Sequence, residues 1–363
     1  MSRVQKHKKK KPWLRVLLIC FTIILIGSGC IVYQLWGAFD QSFDPLERDK
    51  STKREQVATM DEPFTVLLIG ADGDDQNWRA DTLMLAAINP KENTMFMYSI
   101  PRDSYAEMAN SNGVKTKINA APYYGVRAGV DPETNLVETV EDYLNVPVDY
   151  FVKLNFQGFI DVVDAIGGVE VDVPFSFDMR LFNKWYSFQE GPAHLDGHEA
   201  LAYVRMRKSD PRGDAGRNDR QREVVQNLLS QGVSFNSVNK INDVLQAVGN
   251  NLGHNMQVNE MYKMQSLYRN VPKDQVETLQ DNGYDSKDNP QGIWYHYISD
   301  EERLRLSHIL QRQLDLPLQT LDGQEFMGQS PADQGENTPA ENEGSPQLEV
   351  APEEGNIDNQ TTP

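Results

Sequence analysis

Cysteine is almost missing. The 363-residue chain has two, Cys20 and Cys30, and both fall in one apolar run near the N-terminus. The rest of the chain therefore has no disulfide, no thiolate metal site and no cysteine nucleophile to work with. Acids are missing from the first fifteen residues, MSRVQKHKKKKPWLR, and Lys and Arg are missing from Gln329 onward. Charge of either sign is missing from Val16 to Trp36.

Each absence marks out a region. The uncharged run at 16–36 is long enough to cross a bilayer as a helix. No small-residue cleavage site follows it, so it reads as an uncleaved signal-anchor. The basic residues 1–15 then stay in the cytoplasm, and everything beyond is extracellular: a single-pass type II protein of the cell membrane. That placement argues against a nucleic-acid partner. Residues 37–61 are polar and read as a linker, and the acidic tail at 317–363 cannot bury enough apolar surface to fold. One domain remains, at 62–316.

Within it, PFTVLLIGADG, DTLMLAAIN and TMFMYSI are three short apolar runs separated by turn residues, the pattern of an antiparallel meander. An up-down-up course brings Asp72, Asp81 and the PRDS segment (Pro101–Ser104) to one sheet edge. DYFVKLNFQGFIDVVDAIGGVEVDV reads strand, helix, strand, with Gly167 and Gly168 stopping the helix. The fold class is α/β, a central mixed sheet covered by helices in α-β-α layers.

Arginine is concentrated where the rest of the chain is acidic. Net charge is −18, yet DPRGDAGRNDRQR holds four arginines in thirteen residues. Arg205 and Arg207 in YVRMR point the same way if extended. In a helix starting near Gly216, Arg217, Arg220 and Gln221 share one face near its positive end. Asp72 and Asp81, with no thiolate in reach, favour a hard cation such as Mg²⁺, which takes carboxylate and phosphate oxygens. Guanidinium groups supply bidentate donors to phosphate. Together they describe a pyrophosphate site, although each residue alone has a structural explanation as a turn, cap or solvated pair. Arg212 and Arg222 fall outside the pattern and read as solvated.

The ordered set LLIGAD, RADT, PRDS, KTKINAA, IGGVEVDV, LDGHEALAYVRMR and GDAGRNDRQR resembles the LytR–CpsA–Psr family, in its Gram-positive teichoic-acid-transferase branch. The resemblance implies a phosphotransferase that moves an anionic glycopolymer from an undecaprenyl-pyrophosphate carrier to the 6-hydroxyl of N-acetylmuramic acid in peptidoglycan. It also implies Mg²⁺ (or Mn²⁺) at Asp72 and Asp81, and a pyrophosphate set of Arg79, Arg102, Arg205, Arg207, Arg217, Arg220, Gln221 and Lys117. Asp103 and Asp214 correspond to the remaining site acids, either of which could take the hydroxyl proton. Arg79, Arg102, Asp103, Asp214, Arg217 and Arg220 are thereby the expected catalytic group. An apolar lipid pocket inside the domain is a further expectation. RAD stands where the family often has RSD, PRDS where PRDT is usual, and Ala215 where a larger apolar residue is common. The rival readings are a lipid-pyrophosphate phosphatase using the same site and a non-enzymatic envelope regulator.

Overall fold

The segment FTVLLIGADGD buries alternate residues on opposite sides. Leu67, Ile69 and Ala71 enter one core while Val66 and Leu68 enter another, as a strand interior to a sheet must. The computed structural model describes residues 42–48, 50–74, 77–233, 244 and 247–321. The expected anchor at 16–36 and the tail beyond 321 lie outside them. Among the described residues no helix is long and apolar enough to cross a membrane.

Strands β1 (Phe64–Asp74), β2 (Asn77–Asn89) and β3 (Thr94–Ile100) form the expected antiparallel meander. Asn89 closes its second turn by accepting from the backbone N–H groups of Lys91 and Glu92 at 3.1 and 3.3 Å, a local bond that stabilises turns. A short hairpin of β4 (Tyr105–Glu107) and β5 (Lys115–Lys117) follows. β6 (Tyr150–Asn155) returns parallel to β1. β7 (Val169–Val173), expected to continue that α/β unit, leaves the sheet and pairs with β10 (Gly191–Leu195) around the hairpin of β8 (Phe177–Leu181) and β9 (Lys184–Phe188). β11 (Leu252–His254) and β12 (Val276–Leu279) complete a mixed six-stranded sheet in the order β11-β6-β1-β2-β3-β12. β13 (Tyr284–Ser286) and β14 (Tyr295–Tyr297) pair separately.

Helices cover both faces. On one, α1 (Ala121–Ala128), α2 (Pro132–Leu144) and α7 (Asp300–Gln313) share a core with β1 and β2. Pro132 at the first turn and Asp131, which accepts from Thr134 N–H, start α2. On the other face lie α3 (Phe156–Ile166), α5 (Asp214–Val233) and α6 (Val258–Asn270). α4 (Gly197–Arg205) packs on α3 and α5 and belongs to a second core with β7 and β8. α3 stops at Gly167 in the left-handed conformation, as the Gly-Gly pair foretold.

The linker at 37–61 is not a free spacer in its described part. Arg48 is paired with the buried Glu141 and also donates to the Val148 carbonyl at 3.1 Å, and Arg54 lies 3.2 Å from Asp149. Met60 is buried in the core that holds Val66 and Met84. Polar composition hides this, because the residues holding the segment down are arginines matched to inward-facing acids. At the other end Asn145 donates to the Thr320 carbonyl at 2.7 Å, so the folded part runs past 316.

The cavity described next depends on close approach of α3 and α4. A Cβ on Gly197 would lie 2.4 Å from the Ile160 carbonyl oxygen. Gly197→Ala is expected to cost about 1–3 kcal/mol through overpacking, read as a lower midpoint in chemical denaturation.

Candidate active site

The site begins at an irregularity. Gly70 pairs with Thr82 but Ala71 pairs with Ala80, so Asp81 is the extra residue of a β-bulge, a device that re-aims side chains. Asp81 and Thr82 both line one large cavity. Arg102, just past β3, places Nη1 3.0 Å from Asp81 Oδ1. The convergence expected of the up-down-up meander holds for these two residues. Asp72 and Arg79 pair with each other further out on the β1–β2 hairpin; both are exposed and neither lines the cavity.

The second contribution comes from the α4–α5 connection. Arg205 closes α4 and the backbone becomes extended at Met206, so YVRMR is a helix end and not the alternating strand that its pattern allows. The Arg205 guanidinium lies over the Phe156 ring at 4.0 Å. α5 begins at Asp214, whose Oδ1 lies 3.1 Å from Arg207 Nε and 3.0 Å from Arg217 Nη2. Arg217 and Gln221, four apart, face the cavity.

Arg220 does not, and here the expected pyrophosphate set needs correction. Its side chain is 2% exposed and its three nitrogens are taken up inside the protein: by the Tyr203 carbonyl at 3.1 Å, the Met206 carbonyl and the Asp210 carboxylate. Burial alone would push the Asp210 carboxyl up, but the Arg220 hydrogen bond holds it below the ordinary carboxylate value. Asp210 in turn rests on Gly216, where a Cβ would come within 2.0 Å of Oδ2. The second glycine of GDAGR is thus a packing requirement. Lys117, also expected at the pyrophosphate, places Nζ 2.6 Å from Asp103 Oδ1 instead.

The cavity has a volume of about 1050 Å³. Apolar side chains, among them Phe156, Phe159, Ile166, Leu228 and Met264, make up most of its lining, and Arg102, Arg180, Arg205, Arg207, Lys208 and Arg217 also border it. Arg102, Arg207 and Arg217 are drawn together by Asp81 and Asp214. Lys208 went unnoticed in the sequence, although it directly follows the arginine pair. Nε of Arg102 and Nε of Arg217 are buried without a hydrogen-bond partner in the protein. Donors of this kind call for an explanation, and an anionic oxygen supplies one. Burial, with Arg102 and Arg207 close by, holds the Arg217 guanidinium below its ordinary value, while Asp214 and Asp81 oppose the shift. Such a space suits an amphiphile with a strongly anionic head. Among the described residues no three acids or histidines cluster to cage a metal ion. Asp81 fits the usual Mg²⁺ arrangement, in which one or two carboxylates share the ion with substrate phosphates and water.

A second cavity of about 430 Å³ meets the first at Arg207. Asp103 and Asp214 line it, as do Arg222, Asp281 and His296. Arg222, expected to be solvated, is mostly buried, pairing with Asp219 and donating to Ser99 Oγ at 3.3 Å. His296 was missed; its segment reads only as a strand. Its ring nitrogens lie 2.9 Å from Asp281 and 2.9 Å from Asp285. Burial opposes the imidazolium, yet these two carboxylates raise His296 above the ordinary histidine value. Burial would likewise raise Asp281, and the bond to His296 lowers it.

Removing one partner of a buried ion pair costs about 3–5 kcal/mol. Arg220→Ala is expected to lose that much unfolding free energy; denaturation at the wild-type midpoint would refute the structural role. The Asp281–His296 pair stabilises the fold fully below an unfolded histidine pKa of about 6.5 as far as the imidazole is concerned. That contribution is lost as pH rises through the raised value in the folded protein. On the acid side it is present above about 3.9 and lost as pH falls through the lowered Asp281 value. Asp281→Asn should move the His296 midpoint downward in an NMR titration of the imidazole.

Comparison with known proteins agrees with this construction. The LytR_cpsA_psr family pattern matches residues 32–312. The polyisoprenyl-teichoic acid–peptidoglycan teichoic acid transferase TagU of Bacillus mycoides is 38% identical over 316 residues, covering 85% of this chain and 99% of its own. TagU of Bacillus subtilis is 39% identical over 307 residues, with 83% and 95% covered. The crystal structure of B. subtilis TagV superposes with a TM-score of 0.62 at 35% identity, covering 70% of this chain and 98% of that one. The structure of TagT bound to LI-WTA gives a TM-score of 0.62 at 31% identity, with 75% and 100% covered. The chain belongs to the LytR–CpsA–Psr family.

Proposed function

We propose that the protein transfers an anionic cell-wall glycopolymer of the teichoic acid type from an undecaprenyl-pyrophosphate carrier to peptidoglycan. The observation that carries this reading is a large, mostly apolar cavity bordered by the cluster of Arg102, Arg207 and Arg217, where two buried guanidinium N–H groups lack a partner. The apolar walls would take the prenyl chain and the arginine cluster the pyrophosphate. Relatives named as teichoic acid transferases, and TagT bound to wall teichoic acid, support the same assignment.

In the reaction, the 6-hydroxyl of N-acetylmuramic acid attacks the phosphorus that bears the polymer. A new sugar oxygen–phosphorus bond forms and the bond to the bridging oxygen breaks, so undecaprenyl phosphate leaves. The hydroxyl proton goes to Asp103 or Asp214. Arg102, Arg205, Arg207 and Arg217 hold the charge that develops on the phosphoryl oxygens, which is most of what phosphoryl transfer asks of a protein. Lys117 positions Asp103, and Arg220 positions the α4–α5 connection. Asp81 would hold Mg²⁺ or Mn²⁺, which would supply further neutralisation of the pyrophosphate; Asp72, exposed on the outer hairpin, does not line the cavity. The domain would stand outside the cell on the anchor at 16–36.

Arg102→Ala and Arg217→Ala are expected to lower transfer by about 10²–10³-fold, the usual effect of removing one pre-organised charge-stabilising donor. Folding, followed by circular dichroism, should be retained. The measurement uses lipid-linked donor, acceptor glycan and Mg²⁺, with the product identified by mass. Wild-type rates in both variants would sink the assignment, and water-released polymer in place of a glycan adduct would mark a phosphatase.

A further inference from the structure

The β8–β9 hairpin turns on two residues, Phe182 and Asn183, with Leu181 and Lys184 as its last pair. Both turn residues have positive φ, 46° and 63°, the backbone of the tight turn that matches strand twist. Asparagine suits that conformation. Phenylalanine does not, because its Cβ crowds the backbone there. The strain gains little contact: Phe182 meets the His198 ring edge-on at 6.3 Å and remains 60% exposed. A large apolar side chain held outward at a cost to folding points to something beyond the chain that it touches.

The surroundings of the tip say what that is. Phe177, Leu181, Tyr186 and Phe188 are buried in the second core, which fixes the hairpin to the domain. Arg180 and Trp185, paired across the strands, belong to the opposite, exposed face, and Trp185 is 65% exposed. The exposed Lys184 lies over the Tyr186 ring at 4.7 Å. Residues 179–189 contain these two cations and no acid, in a chain of net charge −18. Exposed aromatics interleaved with basic residues settle at a bilayer interface, where the rings find a half-apolar layer and the cations find anionic lipid. A soluble polyanion would use the cations but leave the apex, Phe182, in water. Met179, Arg180 and Trp185 also line the larger cavity, so the exposed tip continues the wall of that mostly apolar space.

We propose that the β8–β9 tip is a membrane-docking element. Phe182 and Trp185 enter the interface of a bilayer containing anionic phospholipid, with Arg180 and Lys184 against its phosphates, and hold the rim of the larger cavity to that surface. The inference goes beyond the transferase reading, and its test needs neither lipid-linked donor nor acceptor glycan. The full chain is placed in nanodiscs of phosphatidylcholine and phosphatidylglycerol, with or without bromine on the acyl chains. The Trp185 emission is the difference between the wild type and Trp185→Phe; Trp13 and Trp36, beside and within the expected anchor, are common to both and cancel. That emission should fall by about half or more in brominated discs, as expected of a ring sunk about 5–10 Å into the interface. Discs of phosphatidylcholine alone should quench it less, because each basic residue adds about fivefold to the attraction of an anionic surface. Phe182→Asn should abolish the quenching and leave the chemical-denaturation midpoint at or above that of the wild type, since asparagine relieves the turn. The proposal is overturned if bromine does not quench Trp185, if anionic lipid makes no difference, or if Phe182→Asn lowers the midpoint. Quenching that persists in Phe182→Asn also overturns it, by showing a lipid chain inside the cavity and not a docked tip. So does Trp185 emission that ignores the discs but shifts with soluble poly(glycerol phosphate), which would assign the hairpin to the polymer.

Discussion

Arg220 carries a charge into a place where water cannot solvate it, and the geometry of the whole arginine cluster follows from how that charge is satisfied. Its donors reach the Tyr203 and Met206 carbonyls at the end of α4 and the Asp210 carboxylate in the loop beyond. Carbonyls at a helix terminus have no partner within the helix, so a side chain of α5 completes α4. The connection between the two helices is thereby pinned at both ends. Arg205, Arg207 and Lys208 emerge from its start, and Arg217 from the helix after it. A surface pair such as Arg212–Asp219, half in water, could not impose this order, because solvent competes for both partners.

Much of the fold is legible in the sequence because burial repeats with a period. The meander, the helix ended by Gly167, and the final helix all announce themselves through apolar spacing. The convergence of Asp81 and Arg102 follows from strand direction alone. Ion pairing has no such period. Arg217 and Arg220 are three apart and look equivalent on a helical wheel, yet one faces the cavity and the other the protein interior. What separates them is Asp210 and the close approach at Gly216, neither of which has a sequence signature. The bulge at Asp81 is equally silent, since it is a property of two paired strands. Arg222 and His296 were missed for the same reason: each is defined by partners distant in sequence, Ser99 for one and Asp281 for the other.

Charge is sorted within the site instead of being summed. A chain of net charge −18 concentrates guanidinium groups where apolar walls exclude water and strengthen their field. Its carboxylates stand mainly on the far side of Arg207. Asp214 touches both populations, holding Arg207 and Arg217 at about 3 Å. These contacts keep the arginines oriented before any ligand arrives, so little rearrangement is left for the moment of reaction.

The segment ahead of β1 has a consequence for distance. Ser42 is already buried against His254, with the hydroxyl 3.0 Å from Nε2, and Asp44 bonds to the His254 carbonyl at 2.7 Å. Only residues 37–41 separate this docked point from the end of the proposed anchor at Trp36. Five residues fully extended reach no more than about 18 Å. The domain would then be leashed at the height of the lipid headgroups, and a carrier could slide its chain from bilayer to protein without being drawn far into water.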